Sequence, residues 1–498
     1  MELVQVARLA AFNVLRLTSG FALVAILPLL VRELEAVEYN TWTILTQVPS
    51  YVALLGAGIS VGVIQMVSAR RGGDERSIAA VVAVASGFAL RLAAVGLVAV
   101  ALAAAAVPVV FSDLPDHLVT PMRLGVVGLG VGACATLLSV PVVAYSNGIG
   151  DNAAATMWSV AARVGGAVAV LLALGGGVAW MAAALGAALV IGAGGQLAWF
   201  RRTAVGRVRA VRDPELGRTL LSYGGTWAIW SVVSLVANGL DVAIVGALDF
   251  ERVGAYGAAV ALVMVVSGLH TAVMNAFLPA TVAGEETAVS APMLDAATRV
   301  AGVLTFAVVG ATAAFGADAL AVAFGSDLAA DAWPILVLLV AARSVANLIW
   351  PYVVGAVAAG EHTQIRVTPV IEGVVNLSIS LALVLVIGAP GAAIGTLIGS
   401  TLAVVLHLRV NVPRTPTVPF VPSRWWRIGV LLPASTAVPL LLATPILHVT
   451  DATSIRIVAS VVAVVLTGVV AAQVLRPIRS DSGLVAERPH PGDRRVEP

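Results

Sequence analysis

Apolar stretches long enough to cross a bilayer follow one another almost from end to end of this 498-residue chain and leave no room for a soluble domain. A hydrocarbon core of about 30 Å takes roughly 20 apolar residues in a helix. Fourteen runs meet that length, near 9–31, 41–66, 78–111, 121–145, 153–175, 178–200, 219–247, 253–281, 299–323, 333–357, 367–388, 390–409, 428–449 and 455–475. Backbone groups in hydrocarbon must be satisfied within their own segment, so such runs fold as helices. The composition agrees: 59% of residues are hydrophobic and 11% charged, where a soluble chain would carry about twice that charged fraction. The sequence therefore predicts an all-α integral membrane protein with about 14 transmembrane helices. The run at 78–111 exceeds what the bilayer needs, so it either overhangs the membrane or contains a break.

All the basic residues are arginine, and their placement sets the orientation. With the N-terminus cytoplasmic, that side receives Arg8, the groups within 70–76, 201–218, 409–427 and 476–495, Arg299 and Arg366. Only Arg32, Arg252 and Arg456 fall opposite, where the loops instead carry Glu33, Glu35, Glu38, Asp113, Asp116, Asp327 and Asp331. Both termini are expected in the cytoplasm. The net charge of +2 thus reflects topology and implies no nucleic-acid partner. Cys134 is the single cysteine, which excludes an internal disulfide. No small-residue cleavage site follows the first apolar run, so that span is expected to be retained.

The basic loop 201–218 divides the spans into an N-lobe (residues 1–200, helices 1–6) and a C-lobe (219–409, helices 7–12). A linker at 410–427 precedes a final helix pair at 428–475 and a polar tail at 476–498, expected to be disordered. The lobes read as repeats. Pro141 is followed by Gly150 and Asp151, and 210 residues later Pro351 is followed by Gly360 and Glu361. The next two spans coincide at the same offset. Six spans per half is an even number, which implies two pseudo-symmetric six-helix lobes related by an axis along the membrane normal. Small-residue runs such as Gly128-x-Gly130-x-Gly132 and Gly395-x3-Gly399 favour close helix contacts.

Function must then reside in the few polar residues inside the membrane, since a charge there costs at least about 2.5–3.5 kcal/mol. Arg163 and Arg343 lie near mid-membrane, Arg91 is deep in the long third span, and Arg16 is about two turns in from the cytoplasmic end. One deep carboxylate, Asp241, faces them, while Asp318 and Glu372 sit near span ends within reach of solvent. Asn13 with Arg16, Asn238 with Asp241, and Arg343 with Asn347 are spaced to share a helix face; Asn376 is a further polar candidate. A snorkelling or purely structural role competes at each of these positions. A net-cationic lumen would attract an anionic substrate where screening is poor. No nucleophile elbow, metal-ligand cluster or phosphate-binding Gly-Lys loop occurs, so neither catalysis nor a cofactor or metal is expected.

Four stretches carry a family resemblance: Leu54 to Ser60, Asn238 to Gly246, Val253 to Ala259, and Ala323 to Gly325 with Ala332. Together with the six-plus-six-plus-two layout they resemble the Wzx-type O-antigen flippases. These form the polysaccharide transporter branch of the multidrug/oligosaccharidyl-lipid/polysaccharide exporter superfamily. The resemblance implies two lobes around a central cavity in a bacterial plasma membrane. It also implies transfer of a polyprenyl-pyrophosphate-linked oligosaccharide from the inner to the outer leaflet. The implied partners are the lipid-linked oligosaccharide, membrane lipids and the polysaccharide polymerase machinery. Among the intramembrane residues Asp241 matches a family position; the arginines rest on depth alone. Two alternatives stay open: a drug or cation antiporter of the same superfamily, which would need more lobe carboxylates, and a membrane-embedded lipid-linked-sugar transferase, which would need a larger outer loop.

Overall fold

The computed structural model describes residues 15, 18–70, 74–207, 215–220, 240–282, 291–359, 361–365 and 367–420. Twelve helices order the described chain: α1 (Ala22–Glu33), α2 (Ala36–Ser68), α3 (Glu75–Val110), α4 (Asp116–Ile149), α5 (Ala153–Leu172), α6 (Val178–Phe200), α7 (Asp241–Leu248), α8 (Val253–Val282), α9 (Ala291–Phe324), α10 (Ser326–Ala358), α11 (Val367–Ile387) and α12 (Ala389–Leu406). Among the described residues there is no strand, and nine helical runs are long and apolar enough to cross a membrane. A belt of exposed large apolar side chains, including Leu102, Leu172, Val322 and Val386, gives the bundle a lipid-facing surface. The spans expected at 428–449 and 455–475, and the tail after them, lie outside the described residues.

The run at 78–111 is one unbroken helix. At about 1.5 Å per residue, the 36 residues of α3 reach well beyond a 30 Å hydrocarbon core, so it overhangs rather than breaks. Its last turn accommodates Pro108. The expected span at 41–66 is the one that does break: α2 is interrupted after Leu45 and again after Leu54, with Pro49 opening the middle segment. Elsewhere, as in α4, helices extend past their apolar runs because backbone geometry at their ends, not hydrophobicity, stops them. Pro115 precedes α4, and Gly150 closes it in the left-handed conformation at φ 76°.

The internal repeat shows in the helix ends. Asp151 N donates to Ser146 O (3.1 Å), and Glu361 N donates to Ala356 O (2.9 Å), the same closing bond 210 residues apart. Gly177 and Gly388 cap α6 and α12 with φ of 76° and 70°, a backbone that a β-carbon would strain. The long hairpin α3–α4 has its counterpart in α9–α10. Glycines bring helices within each half together: a β-carbon on Gly132 would meet Gly186 O at 2.7 Å, and one on Gly399 would meet Asn376 Cβ at 3.0 Å.

One end of the bundle carries the acidic turns at 33–38 and 113–116; the other carries the arginine-rich segments. The halves join at the acidic end, where the first segment of α2 lies across α7 and α8. Asn40 is 5% exposed and donates from Nδ2 to Phe250 O (2.9 Å) and Glu251 O (3.2 Å), while its Oδ1 accepts from Gly254 N (3.0 Å). Gly257 and Gly246 make room for Thr43 and Ile44 of α2 beside this clamp. Arg32 of α1 also reaches Val322 O of α9 at 3.4 Å.

Asn40→Ala is expected to lower the melting temperature in detergent by several degrees, because each buried backbone group left unpaired costs about 1–3 kcal/mol. Asn40→Asp, which keeps the acceptor for Gly254 but sets a carboxylate oxygen against the carbonyls of Phe250 and Glu251, should be at least as destabilised as alanine at neutral pH. Thermal unfolding of the three proteins checks this; equal melting temperatures would mean that the clamp does not hold the halves together.

Candidate functional site

The two breaks in α2 open the wall of a cavity of about 590 Å³, within the size range of small-ligand sites. Irregular backbone at membrane depth is tolerated only where protein or a water-filled space satisfies it. Thr46, Pro49, Ser50 and Gly56, at or beside the interruptions, all line this space. The other walls come from the start of α1, from α4 over 136–143, from α5 over 158–163 and from α6 over 185–196. The stretches on α1 and α4 lie in the arginine-end half of their helices, whereas Thr46, Pro49 and Ser50 of α2 and Leu185 of α6 carry the lining past mid-helix toward the acidic end. The cavity therefore reaches from mid-membrane toward the arginine-rich end of the first repeat, and the Asn40 clamp lies beyond it at the acidic end.

Arg163 stands in this wall and is exposed to the space. A turn along α5, Ser159 donates to Ala155 O (3.1 Å) and accepts from Gln196 Nε2 (2.8 Å), which also donates to Ala155 O (3.0 Å). Thr46, Thr136 and Ser139 line the opposite walls, each donating to the carbonyl three residues back in its own helix, at 2.8, 2.7 and 2.8 Å. The lumen is thus lined by one guanidinium and a set of hydroxyl and amide groups on an otherwise apolar surface.

A second polar group is buried inside the other repeat. Asp241 opens α7 and is 4% exposed; its Oδ2 accepts from Thr396 Oγ1 (2.6 Å) and Tyr256 Oη (3.1 Å). Its Oδ1 has no hydrogen-bond partner among the described residues. Arg343 of α10 lines the same small void of about 20 Å³, room for one water. Both Asp241 and Glu372 of α11 interact electrostatically with Arg343. Asn376 and Ser380 follow Glu372 at four-residue steps, with Ser380 Oγ donating to Asn376 Oδ1 (2.9 Å) and Ser400 Oγ donating to Glu372 Oε1 (3.3 Å). Tyr51 of α2 is close enough to feel the Asp241 charge, linking the broken helix to this cluster.

The sequence candidates therefore separate. Arg163 lies in the first-repeat cavity, while Arg343, Asp241 and Asn376 meet in the second repeat. Asn347 is half-buried one turn farther toward the arginine end on α10. Arg91 is exposed on the flank of α3 that carries Leu90 and Val95, with its guanidinium 5.7 Å from the Phe88 ring, and does not line the cavity. Asn13, Arg16 and Asn238 lie outside the described residues. Glu372, expected near solvent by its distance from the span end, is half-buried and accepts from Ser400 where α11 packs on α12 through Gly395 and Gly399. Thr396, Ser380 and Gln196 join these sites without any signal from depth or charge. The signal for the α11–α12 set was present as the stripe Glu372, Asn376, Ser380 facing Thr396 and Ser400.

Removing the guanidinium with Arg343→Gln leaves two carboxylates uncompensated. A clear loss of thermal stability is expected. Adding Asp241→Asn to the same chain should recover part of it. Melting curves of the two single variants and the double variant test it; strictly additive effects would mean that the groups are not coupled.

Neither a protein-family model nor a curated protein sequence matches the chain. Solved structures do. The lipid II flippase MurJ in an inward closed conformation aligns with a TM-score of 0.71 at 12% identity, over 94% of this chain and 99% of that one. An inward-facing multidrug resistance MATE family transporter of the MOP superfamily aligns at 0.62 and 17% identity, over 81% and 98%. An outward-facing MATE family transporter scores 0.51 at 17% identity, over 83% and 96%. At such identities the likeness is one of fold. The chain is thus a multi-pass, all-helical membrane protein with the fold of the MOP-superfamily transporters.

Proposed function

We propose that this protein is a Wzx-type flippase. It would move an anionic lipid-linked oligosaccharide, on a polyprenyl-pyrophosphate carrier, from the cytoplasmic to the outer leaflet of a bacterial plasma membrane. The observation that carries the reading is the polar, arginine-bearing cavity that lies on the arginine side of the Asn40 clamp. It sits in a fold shared with a lipid II flippase. A pyrophosphate needs charge-assisted donors in a site of low dielectric, and a guanidinium supplies them in bidentate form. With both termini in the cytoplasm, the cavity opens to that side and the Asn40 clamp seals the outer side. Transport then requires the clamp to part and the arginine ends to close, which is alternating access by two rocking lobes.

In this reading the cluster in the second repeat supplies coupling. Two carboxylates face one guanidinium, so when all three are ionised the group carries one surplus negative charge and can accept a proton or another cation. Asp241 touches α8 through Tyr256 and α12 through Thr396, so a change in its charge alters contacts between three helices. Arg16, Asn13 and Asn238 belong to the proposed polar lumen on sequence grounds, and the protein acts as a transporter, not an enzyme. The 1–200 and 219–409 lobes, joined by the 201–218 linker, are the moving parts in this scheme. The polymerase machinery that consumes flipped oligosaccharide is the proposed partner.

The same buried carboxylates favour one second reading, a cation-coupled drug antiporter. The two separate in a deletion strain scored for surface glycan, with lipid-linked intermediates sided by a non-permeant lectin. The flippase reading expects oligosaccharide trapped on the cytoplasmic leaflet and rescue by wild type. Arg163→Ala is expected to cut rescue by at least about tenfold while inserting normally, with partial recovery in Arg163→Lys, because an ammonium keeps charge without the bidentate fork. Unchanged surface glycan together with raised drug sensitivity would make the antiporter the better account.

A further inference from the structure

One large aromatic side chain stands in the wall of the cavity. Trp158 lies in the second turn of α5, lines the cavity, and keeps 39% of its surface exposed. Its seat is built for a flat ring. A β-carbon on Gly195 of α6 would collide with indole atoms Cδ2 and Cε3 and come within 2.7 Å of Cε2, so only glycine lets the ring lie on the helix backbone. Gly192, one turn earlier on α6, similarly admits Ala162 of α5, which holds the two helices together under the ring. One side of the indole is thereby backed by α6 while the side chain remains accessible from the cavity. An interfacial anchor looks different: Trp180, at the acidic end of α6, is 68% exposed and does not line the cavity.

The hydroxyls around the cavity restrict what can bind. Thr46, Thr136 and Ser139 each give their proton to a carbonyl of their own helix, and Ser159 does the same toward Ala155. Ser159 also accepts from Gln196, so the remaining acceptor capacity rests mainly on Thr46, Thr136 and Ser139, and a ligand satisfies them by bringing donors. The wall therefore asks for a molecule with several hydroxyl donors, an anionic group for Arg163 and a flat face of C–H bonds for the indole. Trp158 and Arg163 line the same cavity five residues apart on α5, a rise of about 7–8 Å with a rotation of about 140° about the helix axis. A ligand that engages both therefore wraps the α5 wall, with its ring and its anionic group at different depths and on different sides.

Resting on the flippase reading above, we infer that Trp158 is a stacking platform for the sugar nearest the phosphate of a glycosylated lipid diphosphate, with Arg163 as the adjoining anion subsite. Trp158 thus selects the glycosylated carrier over the bare one. Arg163 engages both, because both carry the diphosphate.

The test is binding to purified full-length protein in detergent, using farnesyl diphosphate and farnesyl-diphosphate-linked N-acetylglucosamine as probes. Wild type is expected to bind the glycosylated probe about tenfold more tightly, a difference of the size that one aromatic contact supplies. Trp158→Leu should abolish that advantage and leave affinity for farnesyl diphosphate unchanged, and Trp158→Tyr should restore most of it. Arg163→Gln should weaken both probes together. Melting curves establish that each variant is folded. If wild type prefers the glycosylated probe and Trp158→Leu keeps that preference, the platform is overturned while the flippase reading stands. Equal weakening of both probes by Trp158→Leu would assign the ring a structural role instead. Failure of wild type to bind either probe would remove the lipid-diphosphate reading, and the platform with it.

Discussion

Everything in this fold depends on one requirement of hydrocarbon: a polar group inside it must find its partner within the protein or within a space that the protein encloses. Where the chain obeys by forming uninterrupted helices, as in α3, α4 and α9 through α12, it makes scaffold. Where it departs, as in the breaks of α2, it makes a cavity. The charged residues obey the same rule. Arg163 faces that cavity, and Asp241, Glu372 and Arg343 face one another inside the second repeat. Site and scaffold are two answers to one solvent.

The two repeats share their helix ends but not their interiors. The first holds an open, hydroxyl-lined cavity with a broken α2, and the second holds a closed polar cluster around a void the size of a single water. The counterpart of α2, α8, runs without a break from Val253 to Val282. A related pair of lobes thus differs inside, with an open cavity in one and a closed polar cluster in the other. Tyr51 and Asn40 both stand on α2 and face the second repeat, one through the charge of Asp241 and the other through the 250–254 turn. The broken helix is consequently the element that senses both halves.

Close packing by glycine sets the limits of movement. Gly254 and Gly257 receive α2 at the acidic end, Gly395 and Gly399 seat α11 on α12, and Gly192 and Gly195 seat α5 on α6. Contacts of this kind give little hydrophobic gain in lipid, where tails are as apolar as leucine, and hold by dispersion and by the hydrogen bonds beside them. At the acidic end the halves are joined by large side chains: Tyr39 lies against Gly254, and Trp42 and Phe250 are buried in the same core.

The sequence by itself determined the class, the long apolar spans, the repeat offset and the existence of deep charges, because each follows from local periodicity and the cost of burying charge. Pro141 and Gly150 with Asp151, repeated at Pro351 with Glu361, announced helix ends that do close by matching hydrogen bonds. Which charges share a site was decided only in three dimensions. Arg163 and Arg343 looked alike by depth, yet one lines an open cavity and the other sits against Asp241, and Arg91 turns to the flank of its helix. Glu372 looked solvated because distance from a span end says nothing about which helix lies across from it. Depth is a one-dimensional property that a chain encodes directly; azimuth around the bundle is set by the packing of helices far apart in sequence.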